Sequence, residues 1–364
     1  MITITVAGAG HGGKAMAAEL AARGFPVTLY NRTYAHIETI ALRGGIELIT
    51  EDNREVFGPL QRVTSDLAEA TAEADLIMVV IPASGHRPLG LAIAPYLRDG
   101  QVVLLNPGRT GGALEFAAAI REGGCRTAPI ICEAETFIFA SRSMGPSEAR
   151  IFRTKFSIPV AAFPATQTEK ALSVIRQAYP QFIPARNVLY TSLNNMGAIF
   201  HPALTLLNAG WIETTLGDFE FYMEGVTPGT AKVLEALDRE RVTVAMALGI
   251  RAQTAMEWLY RAYAAEGDTL YQAMHANPGY SGIKAPNRLD HRYIFEDVPC
   301  SLVPIAELGR HYGVATPTIN AMVHLANIVH STDYWARGRT IKTLGIQGMS
   351  IQELHHYVET GQRW

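Results

Sequence analysis

Cysteine is scarce in this chain of 364 residues: Cys125, Cys132 and Cys300 are scattered and form no C-x-x-C pair. So few thiols exclude a disulfide framework and a cysteine-built metal centre, and they point to a reducing compartment. A surplus of charge is also missing, since 31 basic side chains face 34 acidic ones and no basic run occurs. Nucleic-acid affinity comes from clustered Lys and Arg that release counterions from phosphates, so no nucleic-acid partner is expected. Long apolar runs are absent as well. The most apolar stretch, residues 76–83, contains Pro82 and falls far short of the ~20 residues that span a bilayer. The first residues, Met1-Ile-Thr-Ile-Thr-Val-Ala-Gly, lack a basic start and pass directly into strand-like alternation, so no signal or transit peptide is read there. Among eleven histidines there is no H-E-x-x-H or other metal spacing. The expectation is a cytoplasmic protein without membrane segment or metal.

What is present is a globular composition, 48% hydrophobic and 18% charged, in a chain long enough for two domains. The first half alternates short β-branched runs with helical stretches: Ile2 to Ala7, Val27 to Tyr30, Leu76 to Ile81, Val102 to Leu105 and Pro129 to Cys132. Such alternation predicts a parallel sheet with crossover helices. Phe156 to Phe163 and a helix over Thr166 to Ala178 close it. After Pro180 and Pro184 strand signals fade, and helical patterns take over at Thr191 to Ala209, Gly229 to Leu248, Thr254 to Ala264, Leu302 to Tyr312 and Pro317 to Val329. The expected architecture is an α/β Rossmann-type, doubly wound parallel-sheet domain over residues 1–183, followed by an all-α helical domain over residues 184–364.

Between the first strand and the first helix lies Val6-Ala-Gly-Ala-Gly-His-Gly-Gly13. Gly8, Gly10 and Gly13 fit G-x-G-x-x-G, with His11 and Gly12 inside the same loop. The first glycine permits the tight turn, the second lets the backbone approach a pyrophosphate, and the third lets helix and strand pack closely. The pyrophosphate would sit on the helix N-terminus, where free N–H groups favour an anion. At the end of the second strand an acid would accept from a ribose 2′-hydroxyl, whereas this chain has Asn31-Arg32-Thr33. Arg32 suits a 2′-phosphate, so NADP is favoured and NAD stays open; the alternative is a solvated surface arginine. Pro82 and Asn106 stand where strand C-termini meet the ligand crevice of such a sheet. Asn106 could bond the nicotinamide ribose or amide, or merely start the turn Asn106-Pro-Gly.

In the helical half, Leu193, Met196, Phe200, Ala203, Leu204, Leu207 and Trp211 share one helical arc, the expected core stripe. His201 lies off it, with Asn194, Gly197, Thr205 and Asn208. Gly197, one turn earlier, leaves His201 uncovered and makes room for a ligand. Pro202 predicts a kink or break at His201. A hydrogen-bonded structural histidine remains the alternative. A second polar cluster runs from Asp290 to Pro299. Asp297 reads either as the N-cap of a following helix or as the carboxylate that orients a catalytic imidazole. Arg292 reads as a substrate-carboxylate clamp or as an ordinary ion pair.

With these residues in view, the chain resembles the octopine/nopaline dehydrogenases, the opine dehydrogenase family, nearly end to end. The resemblance rests on Gly8-Ala-Gly-His-Gly-Gly, Leu105-Asn-Pro-Gly-Arg-Thr-Gly-Gly-Ala-Leu-Glu-Phe, His201-Pro-Ala-Leu-Thr-Leu-Leu-Asn-Ala, Arg292-Tyr-Ile-Phe-Glu-Asp-Val and Leu302-Val-Pro-Ile-Ala-Glu-Leu-Gly. It implies an oxidoreductase that condenses an amino acid with a 2-oxo acid and reduces the imine with a nicotinamide cofactor. It also implies that His201 matches the catalytic histidine, Asp297 its partner and Arg292 an arginine of the same motif. Asn194, Gly197 and Arg142 are further substrate-binding candidates, with Lys284 a weaker one. Gly197 stands where some relatives carry asparagine, so amino-acid specificity is not carried over. A homodimer is compatible with the exposed helices expected in the second domain. Two rivals remain: a ketopantoate-reductase or glycerol-3-phosphate-dehydrogenase type of enzyme, which would lean on a lysine in the second domain, and a non-catalytic NADP-binding sensor.

Overall fold

Four-residue runs of apolar and β-branched side chains are too short for helices and suit strands buried on both faces. In the computed structural model, which describes residues 1–363, they form the middle of a large sheet. The strands are β1 (Ile4–Ala7), β2 (Val27–Tyr30), β3 (Gly45–Ile49), β4 (Glu55–Pro59), β5 (Arg62–Thr64), β6 (Leu76–Val79), β7 (Val102–Leu105), β8 (Ile130–Ala134), β9 (Phe139–Gly145), β10 (Glu148–Thr154), β11 (Ile158–Phe163) and β12 (Phe182–Pro184). Eight of them pair in the order β12-β11-β8-β7-β6-β1-β2-β5. The pairing is parallel from β5 to β8, as expected of the doubly wound fold, but β11 runs antiparallel to β8.

A second sheet, β4-β3-β10-β9, was not expected from the sequence. Its strands carry Glu47, Glu55, Arg142, Arg150 and Arg153. Their buried members, Ile46, Leu48, Ala149 and Ile151, join one core with Ala15 and Ala18 of the helix His11–Ala22. Helix and strand approach so closely that a Cβ on Gly58 would lie 2.3 Å from the Ala18 carbonyl oxygen.

The chain divides into two compact units, whose bounds differ from the single boundary expected near residue 183. One unit comprises residues 1–108, 112–191 and the C-terminal segment from Gln352; the other comprises Arg109–Gly111 and Ser192–Ile351. Helical periodicity reports that the terminal helix Ile351–Thr360 exists, but not which core receives it. Tyr357 decides the matter: its ring packs on Phe163 at 4.9 Å and its hydroxyl accepts from Arg121 at 2.6 Å.

The second unit is helical as expected, and after β12 the described residues add only an isolated bridge between Glu220 and Lys284. The long helix expected over Thr191 to Ala209 is three pieces, Val188–Leu193, Gly197–Leu207 and Ala209–Thr215. The irregularity expected at His201 instead falls at Asn194–Met196, and the helix runs on through Pro202. Ala198, Ile199, Phe200, Pro202, Ala203 and Leu204 are all buried, and this packing offsets the ~3 kcal/mol that an internal proline costs. No helix among the described residues is long and apolar enough to cross a membrane.

In the glycine-rich loop the two outer glycines of the motif are set by sterics. Gly8 has φ +123° and a Cβ there would lie 2.3 Å from the Val80 carbonyl oxygen; a Cβ on Gly13 would lie 1.8 Å from the carbonyl oxygen of Gly8. Gly10, the N-cap, has φ −77° and no atom near its missing Cβ. The two ends of the motif are therefore required by the fold, whereas the middle glycine leaves open space beside the helix N-terminus. Gly13→Ala should lower the melting temperature strongly. Gly10→Ala should stay within about 0.5 kcal/mol of the parent, because it meets nothing in the folded chain, while weakening dinucleotide binding at least ~tenfold through a methyl placed where the backbone must approach phosphate. Thermal melts and dinucleotide titrations of the two variants check this, and equal effects on stability would contradict it.

Candidate active site

Around the glycine loop, the first helical turn from His11 has no side-chain cap, so its N–H groups are available to an anion. His11 Nδ1 accepts from the Ser143 backbone N–H at 2.9 Å, which places the ring proton of the neutral form on Nε2. Gly12 lies under Phe137, whose ring carbons would be 2.7 Å from a Cβ. Asn31 ties the end of β2 to the loop: Oδ1 accepts from Ala9 N–H at 3.3 Å and Nδ2 donates to the Thr33 carbonyl at 2.9 Å. Arg32 is exposed and has no acidic partner among the described residues. Pro82 is exposed at the start of the turn Ala83–Gly85. Asn106 is buried; its Nδ2 donates to the Leu104 carbonyl at 2.9 Å, and its Oδ1 has no partner among the described residues. An open space beside a helix N-terminus, an unpaired arginine and an orphaned buried acceptor together suit a dinucleotide.

The helical unit brings together His201 and Asp297. His201 Nδ1 lies 2.9 Å from Asp297 Oδ2; the aspartate side chain is fully buried and the imidazole is 20% exposed. Tyr293 stacks on the imidazole with ring centroids 4.1 Å apart, fixing the ring plane. The N-cap alternative for Asp297 is corrected. Its backbone is helical, with φ −74° and ψ −31°, and its carboxylate makes no cap bond. The residue that does cap nearby is His291, whose Nδ1 accepts from Tyr293 N–H at the start of the short helix Arg292–Phe295.

Two participants escaped the sequence reading. Arg109 places Nη1 2.9 Å from Asp297 Oδ1 and donates from Nε to Glu296 Oε1 at 3.2 Å. Glu296, 1% exposed, also faces Arg292, whose Nε is 3.0 Å from Oε2. Arg292 is thus ion-paired, with its side chain 49% exposed. The room that Gly197 was expected to leave for a ligand is taken by Arg109: a Cβ at position 197 would lie 2.5 Å from Nη1 and 3.3 Å from His201 Cε1. That missing side chain, and the arginine in the Asn106-Pro-Gly-Arg run, were the available signals, but nothing local connects residues so far apart in sequence.

The remaining candidates are not drawn into this cluster. Asn194 Oδ1 accepts from Gln253 N–H at 2.9 Å, bracing a loop. Arg142 lies exposed on β9 in the other unit, opposite Arg150. Lys284 is exposed and pairs with Asp218 at 2.8 Å.

Burial opposes the charge of Arg109, yet the carboxylates of Asp297 and Glu296 outweigh it and hold the guanidinium above its ordinary pKa. Burial, with Arg292 nearby, pushes His291 down to about 4. Burial also raises the phenols of Tyr222 and Tyr293. An imidazole reachable from solvent, backed by a buried anion and neutral phenols, can accept and return a proton at its outer nitrogen.

The chain is similar to known proteins along nearly its whole length. Residues 184–330 match the α-helical domain of NAD/NADP octopine/nopaline dehydrogenases, and residues 3–106 match the NAD-binding domain of 6-phosphogluconate dehydrogenase. An opine dehydrogenase from Arthrobacter sp. (strain 1C) is 38% identical over 98% of this chain and 99% of its own. The solved structure of octopine dehydrogenase with NADH and L-arginine superposes with TM-score 0.81 at 19% identity, covering 100% of this chain and 99% of that one. Yersinopine dehydrogenase with NADP+ bound gives TM-score 0.74 at 17% identity, covering 99% and 98%. The chain belongs to the opine dehydrogenase family and is an NAD(P)-dependent oxidoreductase acting on the CH–NH group of its substrate.

Proposed function

We propose that this enzyme joins the amino group of an amino acid to a 2-oxo acid and reduces the resulting imine, or runs the reverse oxidation, with NADP(H) preferred over NAD(H). The observation that carries the reading is the 2.9 Å pairing of His201 Nδ1 with fully buried Asp297. When bound, the nicotinamide supplies or takes the hydride. The protein's own part is proton transfer and charge matching. Asp297 accepts a hydrogen bond from Nδ1–H, which leaves Nε2 bare to take a proton from the substrate ammonium and to return it to the hydroxyl that departs as water. Asp297 also stabilises the imidazolium formed between these events. Arg292 would meet a substrate carboxylate; its half-exposed guanidinium, paired with Glu296 at 3.0 Å, supports this. A ketopantoate-reductase type of chemistry would want a lysine here; the helix Gly197–Leu207 has none, and Lys284 is exposed and paired.

A matrix of amino acids against 2-oxo acids, read as NADPH oxidation, identifies the substrates; no turnover with any pair would overturn the assignment. With the best pair, His201→Ala should lower kcat by ~10² to 10⁴ while leaving NADPH affinity nearly intact, since the glycine loop lies in the other unit. Asp297→Asn should also lower it, by weakening tautomer preference and the imidazolium. Melting temperatures measured alongside separate chemistry from unfolding; near-normal turnover in folded His201→Ala would return that residue to a structural role.

NADP preference is supported by Arg32 and by the missing acid after β2. NADPH should bind several-fold tighter than NADH, and Arg32→Asp should narrow or reverse the gap, because a charge-assisted contact contributes ~1.5 to 3 kcal/mol. Equal dissociation constants in the parent protein would reject the preference.

Acid sensitivity has a second source near the same ring. His291 is held at about 4 against an ordinary 6.5, so the unfolded chain binds the extra proton between these values. The associated stability is complete above pH 6.5 and is lost as pH falls through 4. His291→Asn, which keeps a cap acceptor, should flatten that part of the melting-temperature profile. An unchanged profile between the two pH values would show that His291 is not its cause.

A further inference from the structure

Asp297 and Glu296 are neighbours in sequence, and their side chains are 0% and 1% exposed. Burying one carboxylate is expensive unless it is paired, and two adjacent ones drive one of them to hold a proton. A protonated Asp297 could no longer serve His201 as an anion. The surrounding charges form an alternating row, Arg292–Glu296–Arg109–Asp297–His201, in which Arg109 is the cation shared by both acids. The fold makes two separate concessions to it. Arg109 adopts φ +61°, a left-handed conformation that is strained for a residue with a Cβ. Gly197 omits the side chain that would strike its Nη1.

We infer that Arg109 is a positioning residue of the acid–base pair: its guanidinium holds the Asp297 carboxylate turned toward His201, and offsets the negative charge that the two buried acids place beside the imidazole. The inference rests on the proton-transfer role proposed for His201 and Asp297. Of the other groups facing the pair, Tyr293 and Tyr222 are held neutral by burial, His291 is neutral above about 4, Arg292 is matched to Glu296, and Arg288 acts on His291 through charge. With Arg109 present, two cations face two buried carboxylates. Without it, one cation faces them, which favours positive charge on the neighbouring imidazole.

The test uses the full chain with the best substrate pair from the matrix. Arg109→Gln should lower kcat about ten- to hundredfold through misplacement of the carboxylate. It should also move the acid limb of kcat/KM to higher pH by about one unit, because a cation next to the pair is gone. Dinucleotide affinity should stay unchanged. Arg109→Lys keeps the charge and loses the fork, so its limb should return toward the parent's while kcat stays reduced. Should Arg109→Gln not fold, Gly197→Ala decides the matter: the added methyl shifts Nη1 but leaves a guanidinium beside both acids, so the chain still folds, and kcat should fall about tenfold. A folded Arg109→Gln with the parent's limb and turnover, or a fully active Gly197→Ala in its place, would overturn the inference. Full activity in His201→Ala would instead overturn the acid–base reading beneath it, so the two failures are distinguishable.

Discussion

A carboxylate with no exposure is stable only where its charge is answered, and Asp297 is answered on both sides. One oxygen meets Arg109 and the other meets the imidazole of His201. Breaking such a buried pair by removing one partner typically costs about 3 to 5 kcal/mol, comparable to a large share of a domain's net stability. The elements around Asp297 are therefore constrained by it. The helix Gly197–Leu207 must present His201 from one side, a left-handed Arg109 must enter from another, and the π-helical turn Val298–Leu302 must leave Asp297 with a helical backbone yet free of any capping duty.

The same carboxylate explains why the imidazole is only partly exposed. Tyr293 covers one face and Asp297 holds Nδ1. A ring so confined loses rotamer freedom during folding rather than during reaction, which is how a positioned base gains its effect. The cofactor side shows the same economy: Gly8 and Gly13 are dictated by backbone collisions, and Gly10 by an open space.

Much of this was legible in the sequence because it is written locally. The glycine loop follows a buried tetrapeptide strand, and His201 sits off an apolar stripe one turn from a glycine, so short-range periodicity finds both. What failed was long-range. The second sheet was missed because its strands carry charged residues and bury only part of their length. Asp297 before Val298-Pro299 looks like an N-cap by local rules, and only Arg109 and His201, from distant segments, draw its carboxylate elsewhere. Asn194 shares an arc with His201 on an unbroken helix. The break at Asn194–Met196 removes that relation and turns Asn194 toward Gln253.

Gly197 carries the most consequence for relating this enzyme to its relatives. From sequence, a missing side chain beside a catalytic histidine reads as space for substrate. In the folded chain that space holds the guanidinium on which the charge balance of two buried acids depends. On the proposed reading, position 197 bears on proton transfer through Arg109 before it bears on which amino acid enters. A larger residue here must first find a new place for Nη1, since it would meet that atom at 2.5 Å and His201 Cε1 at 3.3 Å. Substitution at this glycine therefore tunes the base and shapes the site together, and a change in substrate preference observed there is to be separated from a change in the pH profile before it is ascribed to fit.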